Sequence, residues 1–296
     1  MFNKRLRIVV TGLCGQVARA LQYRAGELLD VIAVGRPDFD LGALTDPTPL
    51  FAAMRPDVIV NAAAYTAVDQ AETDREAALA INGAGAGAVA RAAAELGAPI
   101  IQLSTDYVFD GAATRPYRED DPTAPINFYG RSKLAGEEAV RAATPNHAIL
   151  RTSWVYAPEG QNFLRTMLRL AGDRDEIRVV ADQHGTPTSA LDIAAAIEQV
   201  ARNLVANPDA PLLRGLFHLT DSGVTTWAGF AAEIFTISAE SGGPRARVVP
   251  IATSDYPTPA RRPARSQLDT TKITRVHNLR PKPWTQALRE AMGKLA

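Results

Sequence analysis

Short runs rich in β-branched residues alternate with longer Ala-rich runs through the first half of the chain, and this alternation constrains the fold more than any other feature. Strands that alternate with helices form a parallel sheet covered by helices on both faces. Because crossovers between parallel strands are almost always right-handed, the pattern favours an α/β fold with a doubly wound sheet of the Rossmann type. The predicted strands are Leu6–Val10, Val31–Val34, Val58–Asn61, Ile100–Leu103 and Ala148–Arg151, and the predicted helices are Gln16–Arg24, Pro49–Met54, Arg75–Leu96 and Phe128–Ala143.

The pattern becomes less regular after Arg151, which predicts a second and smaller lobe. We place the first domain at residues 1–155 and a C-terminal lobe mainly at 156–296, with residues 188–220 returning to the first domain. Ligands of doubly wound folds bind beyond the carboxyl ends of the strands, so a lobe at that edge would close over a substrate. The predicted elements of this half are the helices Asn162–Leu170, Ala190–Val205, Trp227–Ile237 and Thr285–Lys294, and the strands Ile177–Val180 and Leu216–Leu219.

The overall composition argues against several classes of partner. Lys and Arg together number 32, as do Asp and Glu, so no net charge attracts nucleic acid or an anionic membrane. The single cysteine, Cys14, rules out an intramolecular disulfide and fits a reduced cytoplasmic setting. The apolar run that ends at Val10 is far shorter than the ~20 residues that cross a bilayer. We therefore expect a cytoplasmic protein without nucleic-acid or membrane partners.

A glycine-rich loop follows the first predicted strand with the spacing G-x-x-G-x-x-A, from Gly12 to Ala18. Gly12 permits the sharp turn, and Gly15 lets the backbone approach a pyrophosphate. The N–H groups of the first helical turn, which contains Gln16 and Val17, would hold the phosphates with the help of the helix dipole. An ordinary turn is the alternative, but the position after the first strand of a βαβ unit favours a dinucleotide cofactor in the first domain.

The end of the second predicted strand bears on the choice of cofactor. Proteins that bind NAD usually carry an acidic residue there, whereas this strand ends in Val34-Gly35-Arg36. A guanidinium pairs well with a 2′-phosphate, which favours NADPH over NADH. The alternative is that Arg36 is a solvated surface residue. Asp40 and Leu41 follow and are predicted to line the adenine side.

Three residues predict a nicotinamide-dependent reductase, with Tyr129, Lys133 and Thr105 as its catalytic residues. Tyr129 and Lys133 lie four apart, on one face of a predicted helix. A phenol is a weak acid at neutral pH, and an ammonium one turn away would bring the pKa of Tyr129 toward neutrality. Ser104 and Thr105 directly follow the strand Ile100–Leu103, where ligands bind. Thr105 could therefore hydrogen-bond a carbonyl oxygen that is being reduced, although capping of the strand end is the alternative.

These motifs and several longer stretches resemble a known family over nearly the whole chain. The matching stretches are Gly12–Val17, Arg55–Asp69, Ser104–Gly111, Tyr129–Glu137, Arg151–Tyr156 and Tyr256–Pro263. They resemble the dTDP-4-dehydrorhamnose reductases, which belong to the extended short-chain dehydrogenase/reductase group. Members of that family reduce the 4-keto group of dTDP-6-deoxy-L-lyxo-4-hexulose to give dTDP-L-rhamnose. The resemblance therefore implies this activity and a nucleotide-sugar substrate for the smaller lobe.

The resemblance also implies roles for individual residues. Tyr129 would donate the proton, and Lys133 would support it and bind the cofactor ribose. Thr105 would contact both the sugar oxygen and Tyr129. The remaining implied contacts are those of Ala64, Tyr65 and Thr66 with the cofactor, and those of Asp106 and Trp154 with the sugar.

One departure from the family pattern concerns metal binding. Some members dimerise through a divalent metal held by glutamates of three helices, and the equivalent positions here are Ala20, Leu191 and Lys294. None of these residues is acidic. We therefore expect no metal, and a monomer or a weak homodimer.

Two alternatives to this function stay open. A reductase of another 4-keto nucleotide sugar, for example one that gives 6-deoxytalose, would have the same catalytic residues. A non-catalytic nucleotide-binding regulatory subunit would share the fold, but the intact Tyr129, Lys133 and Thr105 argue against it.

Two charged groups outside these motifs also allow two interpretations each. Arg261, Arg262 and Arg265 could contact a pyrophosphate or form a solvated basic loop. Asp69 and Glu72 could form a carboxylate pair or one turn of solvated helix.

Overall fold

The computed structural model describes residues 5–43 and 45–295, which form twelve strands and ten α-helices. The strands are β1 (Leu6–Thr11), β2 (Leu29–Val34), β3 (Val58–Asn61), β4 (Ile100–Thr105), β5 (His147–Thr152), β6 (Val155–Tyr156), β7 (Glu176–Val180), β8 (His184–Gly185), β9 (Thr188–Ser189), β10 (Gly215–His218), β11 (Thr225–Thr226) and β12 (Arg247–Ile251). The helices are α1 (Gln16–Tyr23), α2 (Thr48–Met54), α3 (Arg75–Leu79), α4 (Ala86–Glu95), α5 (Phe128–Ala143), α6 (Phe163–Ala171), α7 (Ala190–Ala206), α8 (Trp227–Glu240), α9 (Thr271–His277) and α10 (Trp284–Met292). Across the described residues, no helix combines the length and the hydropathy that a membrane span requires.

Six strands form the main sheet in the order β2–β1–β3–β4–β5–β10, and every neighbouring pair is parallel. This arrangement confirms the predicted doubly wound α/β fold. The chain runs from β1 outward to β2 and then crosses back to β3, on the other side of β1. Ligands of such sheets bind at the carboxyl ends of the strands where this change of direction occurs. The loops after β1 and β3 should therefore surround the binding site.

Helices cover both faces of the sheet, because its strands carry apolar side chains on both sides. One face packs against α1, α7 and α9, and Ile8, Leu21 and Ile273 are fully buried there. The other face packs against α2, α4 and α5, and Val9 and Val140 are fully buried there. Because β10 pairs with β5, the second half of the chain supplies the last strand of the sheet. It also supplies α7 and α9, which cover one face. The division into two lobes stays a prediction.

The predicted helix over Arg75–Leu96 is helical from Arg75 to Glu95, but its middle is not α-helical. A wide π-helical stretch, Ala80–Gly85, separates α3 from α4. Gly85 in this stretch is needed for close packing, since a Cβ on it would come within 2.6 Å of Leu41. Such π-helical insertions often occur at functional sites because they redirect a side chain. Here the stretch contains Asn82, which makes hydrogen bonds to two other segments of the candidate site.

A separate core lies between α6, α8, α10 and the two-stranded parallel sheet of β7 and β12. The predicted α6, α7, α8, α10, β7 and β10 are confirmed, with ends that differ by three residues or fewer. The strand β12 and the helix α9 were not predicted. Pro250 interrupts the pattern of β12, and α9 is only seven residues long, so both give weak local signals.

Candidate active site

The glycine loop lies between β1 and α1, at the carboxyl edge of the sheet. Gly12 has a positive φ of 98°, and a Cβ on it would come within 3.5 Å of Ala63 in the loop after β3. Thr11 Oγ1 connects the two loops, because it donates to Asn61 Oδ1 at 2.6 Å and accepts from the Ala63 N–H at 3.0 Å. Within the described part of the chain, no side chain caps α1 at Gly15, and a Cβ on Gly15 would meet no atom within 4 Å. Open N–H groups at a helix start, with space above them, fit a pyrophosphate.

The other residues predicted to contact the phosphates or the adenine of a cofactor differ in what they offer. Gln16 and Val17 begin α1, and Val17 packs its side chain into the core, so its backbone faces the loop. Arg36 and Asp40 are exposed after β2. Leu41 is only 7% exposed and packs against the sheet. Arg36 is therefore the one cation of this group that is placed to meet a phosphate.

Asn82 joins the loop after β3 to α5, and its role was not predicted from the sequence. Its Oδ1 accepts from the Tyr65 N–H at 2.9 Å, and its Nδ2 donates to the Tyr65 carbonyl at 3.0 Å and to Ser132 Oγ at 2.9 Å. Ser132 Oγ in turn donates to the carbonyl of Tyr129 at 2.8 Å. The predicted cofactor residues Ala64–Thr66 are thus held at a fixed distance from the helix that carries Tyr129.

Tyr129 and Thr105 meet where the first turn of α5 passes the end of β4. Burial raises the pKa of Tyr129 to about 12, the charge of Asp106 adds to this effect, and a hydrogen bond with Thr105 opposes it. The sequence predicted a lower pKa because of Lys133, whereas burial dominates in the structure. A phenol with this pKa keeps its proton at neutral pH, which suits a proton donor.

Lys133 is one turn further along α5 and is 5% exposed. Its Nζ donates to the carbonyl of Leu103 in β4 at 2.7 Å. Burial lowers the pKa of Lys133 to about 8, and the charge of Glu137 opposes this lowering. The ammonium therefore remains largely protonated at neutral pH, at the point where β4 and α5 meet.

Asp106 follows Thr105 and is buried, with 2% exposure. Its Oδ1 accepts from Thr105 Oγ1 at 3.0 Å, while Oδ2 has no hydrogen-bond partner among the described residues. Burial raises the pKa of Asp106 to about 7, and the nearby hydroxyls of Ser266 and Thr105 oppose the rise. A buried acceptor without a partner is costly, so Oδ2 is an atom available to a ligand.

Trp154 follows β5 in a left-handed backbone conformation, with φ of 46°. Its ring stacks on Trp227 of α8, with 3.6 Å between centroids and 7° between planes. Gly185 passes so close that a Cβ on it would lie 2.5 Å from the Trp154 ring. Trp154 is half-buried, so it is neither a solvated residue nor a complete core residue. Trp227, which sequence reasoning missed, holds this ring at the junction of the two halves of the chain.

The basic loop near residue 262 makes an ion pair and a hydrogen bond with the first half of the chain. Arg262 Nη2 donates to Asp69 Oδ2 at 2.7 Å, and Asn127 Nδ2 donates to the carbonyl of Arg261 at 2.8 Å. Glu72 accepts from the N–H of Phe128 at 2.7 Å. Asp69 and Glu72 lie on one short helical turn, and their carboxylates accept from different partners instead of forming a pair. They attach the start of α5 and the C-terminal segment to the loop after β3.

Three residues weighed for a metal, Ala20, Leu191 and Lys294, line one cavity of about 270 Å³ together with Glu159. The structure thus brings the three positions together, as the family pattern implies. Within residues 5–43 and 45–295, no group of three His, Cys, Asp or Glu side chains could hold a metal ion. The expected absence of a metal stays a prediction.

Comparison with known proteins agrees with this geometry. The family model described as RmlD substrate binding domain matches residues 6–296. A dTDP-4-dehydrorhamnose reductase of Sinorhizobium fredii is 49% identical, over 98% of this chain and 98% of that protein. The chain belongs to the dTDP-4-dehydrorhamnose reductase family. The predicted resemblance is thereby confirmed.

Two further members of the dTDP-4-dehydrorhamnose reductase family support the assignment. The Escherichia coli K12 protein of that name is 42% identical, over 98% of each chain. The crystal structure of the Bacillus anthracis dTDP-4-dehydrorhamnose reductase in complex with NADP superimposes with a TM-score of 0.89 at 34% identity, covering 98% of this chain and 99% of that one. Sequence and fold thus agree along the whole chain, including the residues of both halves that surround the candidate site.

Proposed function

We propose that this protein uses a reduced nicotinamide cofactor to reduce the 4-keto group of dTDP-6-deoxy-L-lyxo-4-hexulose, giving dTDP-L-rhamnose. The observation that carries the proposal is the meeting of Thr105, Tyr129 and Lys133 at the edge of the sheet that also bears the glycine loop. Membership of the dTDP-4-dehydrorhamnose reductase family supports the choice of sugar nucleotide.

The cofactor would lie across the carboxyl ends of β1 and β3. Backbone N–H groups after Gly12 and Gly15 bind its pyrophosphate, and the Ala64–Thr66 loop lines one side. Tyr129 and the Lys133 ammonium hydrogen-bond the nicotinamide ribose. When bound, the reduced nicotinamide supplies a hydride to the sugar.

Tyr129 acts as the proton donor for the sugar oxygen. Its raised pKa, about 12, keeps the phenol protonated until negative charge develops on that oxygen. Thr105 donates a second hydrogen bond to the same oxygen. Both donors act on charge that appears mainly in the transition state, so they accelerate the reaction rather than only binding the ketone. Lys133 stabilises the phenolate that remains after the proton has left.

Asp106 and Trp154 bind the sugar on the side away from the cofactor. The Oδ2 atom of Asp106 has no hydrogen-bond partner within the described residues and can accept from a sugar hydroxyl. The Trp154 ring, fixed by its stack on Trp227, provides an apolar wall. Together they orient C4 toward Tyr129.

NADPH is proposed as the preferred cofactor because Arg36 is exposed directly after β2. Arg36→Ala is expected to weaken NADPH binding by about tenfold to a hundredfold, the worth of a charge-assisted hydrogen bond, and to leave NADH binding nearly unchanged. Fluorescence titration with each cofactor measures both values. Arg24→Ala is the matched control, because Arg24 lies at the opposite end of α1 and pairs with Glu198. Equal losses for NADPH and NADH would contradict the phosphate contact.

The proposed activity is tested by following oxidation of NADPH with dTDP-6-deoxy-L-lyxo-4-hexulose and identifying the product by NMR. The expected product is dTDP-L-rhamnose. If the product is instead the C4 epimer, dTDP-6-deoxytalose, the protein is still a 4-keto reductase but catalyses a different reaction. Absence of oxidation by protein that still binds NADPH would contradict the proposed substrate.

A further inference from the structure

Helix α5 is attached to the sheet at two points, one helical turn apart. At the first, Lys133 Nζ donates to the carbonyl of Leu103 at 2.7 Å. At the second, Glu137 Oε1 accepts from Ser104 Oγ at 2.6 Å. Leu103 and Ser104 are consecutive residues of β4, and the next residue is Thr105. The two contacts therefore set the position of Lys133 relative to the end of this strand.

Glu137 is in turn held by Arg151 of β5. Arg151 Nε donates to Glu137 Oε1 at 2.8 Å, and its Nη2 donates to Oε2 at 2.7 Å. Both residues are buried, with 0% and 1% of their surface exposed. The guanidinium also lies 5.0 Å from the ring centre of Phe109. A bidentate pair without access to water fixes the carboxylate in one orientation.

We propose that Glu137, oriented by Arg151 and Ser104, is the positioning residue that keeps Lys133 charged and directed at the cofactor. The inference rests on the proposed role of Lys133 in binding the cofactor ribose. A stabilising role alone explains the ion pair poorly, since the cost of desolvating two buried charges can exceed their attraction. Lys133 and Glu137 lie four apart on one face of α5, so the carboxylate is one turn from the ammonium.

The charged groups around Lys133 determine the direction of the expected effect. Burial lowers the pKa of Lys133 to about 8, and Glu137 opposes this lowering. Among the described residues, two arginines lie next to Glu137. Arg151 pairs with it directly, and the Nη2 of Arg141 is 3.6 Å from Glu137 Oε2. On the other side of Lys133, the charge of Asp106 acts on Tyr129. The ammonium exists below its pKa and is lost as the pH rises through it. Removal of the Glu137 charge lowers this pKa further, so the ammonium is lost at a lower pH.

The test is the pH dependence of NADPH binding to the full chain, measured by fluorescence titration. The affinity for NADPH is expected to fall as the pH rises, with a midpoint near the pKa of Lys133. In Glu137→Gln the midpoint should move to lower pH by roughly one unit, because the negative charge that opposes the lowering of the Lys133 pKa is removed. In Ser104→Ala the midpoint should stay in place, because this variant removes a neutral hydrogen bond and keeps the charge.

A double variant covers the case in which Glu137→Gln does not fold. Glu137→Gln with Arg151→Met removes both buried charges, and such replacements are often tolerated. Its midpoint should shift in the same direction as that of the single variant. Two outcomes would overturn this inference alone. Either both Glu137 variants bind NADPH with the same midpoint as the unaltered protein, or Ser104→Ala shifts the midpoint as far as Glu137→Gln does. Absence of NADPH binding by the unaltered protein would overturn the proposed function as well.

Discussion

Tyr129→Phe is expected to weaken NADPH binding by no more than about tenfold, the worth of one neutral hydrogen bond, and to reduce the sugar about 10²–10⁴ times more slowly. In the proposed reaction the hydroxyl is the proton donor for the developing alkoxide, whereas the ring itself is retained in the variant. Burial keeps the phenol protonated at neutral pH, because it raises the pKa of Tyr129 to about 12.

Single-turnover rates with saturating NADPH measure this loss, because they report the chemical step without product release. Tyr107→Phe is the matched control. Its ring packs edge-on against Tyr129 at 5.8 Å between centroids, so the substitution removes a neighbouring phenol hydroxyl from the same environment. We expect its effect to fall well below the range given for Tyr129. A Tyr129→Phe variant with unchanged turnover would show that another group supplies the proton.

Gly136→Ala is expected to destabilise the protein by about 3 kcal/mol, because it overpacks the contact between α5 and the π-helical stretch. A Cβ on Gly136 would lie 2.1 Å from the carbonyl oxygen of Asn82, and a backbone atom cannot rotate away. Helix α5 must therefore shift. Since α5 also carries Tyr129 and Lys133, the folded fraction should lose activity as well as stability.

Gly83→Ala is the control for this substitution, at the same contact between helices. A Cβ on Gly83 would lie 3.5 Å from the Ala135 Cβ, which is an ordinary van der Waals distance. Replacing a helical glycine by alanine gains up to about 1 kcal/mol, so this variant should be neutral or more stable. Urea unfolding of both variants measures the difference. Similar free energies of unfolding for the two would contradict the close approach at Gly136.

The sequence predicted the parts of the fold that depend on local pattern. The strands β1, β3, β4 and β5 are short apolar runs, and α5 is a helix of 16 residues with Asn127 as its cap. The glycine spacing, the position of Thr105 directly after a strand and the Tyr–Lys pair then predicted one edge of the sheet as the candidate site. Each of these features can be read from neighbouring residues, or from the strand that a residue directly follows.

The contacts that organise the site were not predictable in the same way. The pair of Arg262 and Asp69 joins residues that are 193 apart in the sequence, and Asn82 reaches Ser132 across 50 residues. No periodicity reports such contacts, because each depends on the docking of two distant segments. Glu137 is different. It lies one turn after Lys133, and extension of the same helical spacing by four residues could have identified it.

The pKa of Tyr129 shows why a motif alone is insufficient for electrostatics. A neighbouring lysine predicts a lowered pKa, but the sequence does not contain the degree of burial. Burial and the nearby charge of Asp106 both disfavour the phenolate, and their sum reverses the direction. The raised pKa still fits the proposed reaction, since a reductase needs the protonated phenol.

The most direct test of the proposed function uses NADPH that carries deuterium at the transferable position of the nicotinamide. After reaction with dTDP-6-deoxy-L-lyxo-4-hexulose, NMR locates the label in the product. The account predicts dTDP-L-rhamnose with deuterium at C4 of the sugar, and no transfer in Tyr129→Phe above its residual rate. A product without deuterium at C4, formed while the cofactor is oxidised, would contradict direct hydride transfer at the site of Thr105, Tyr129 and Lys133.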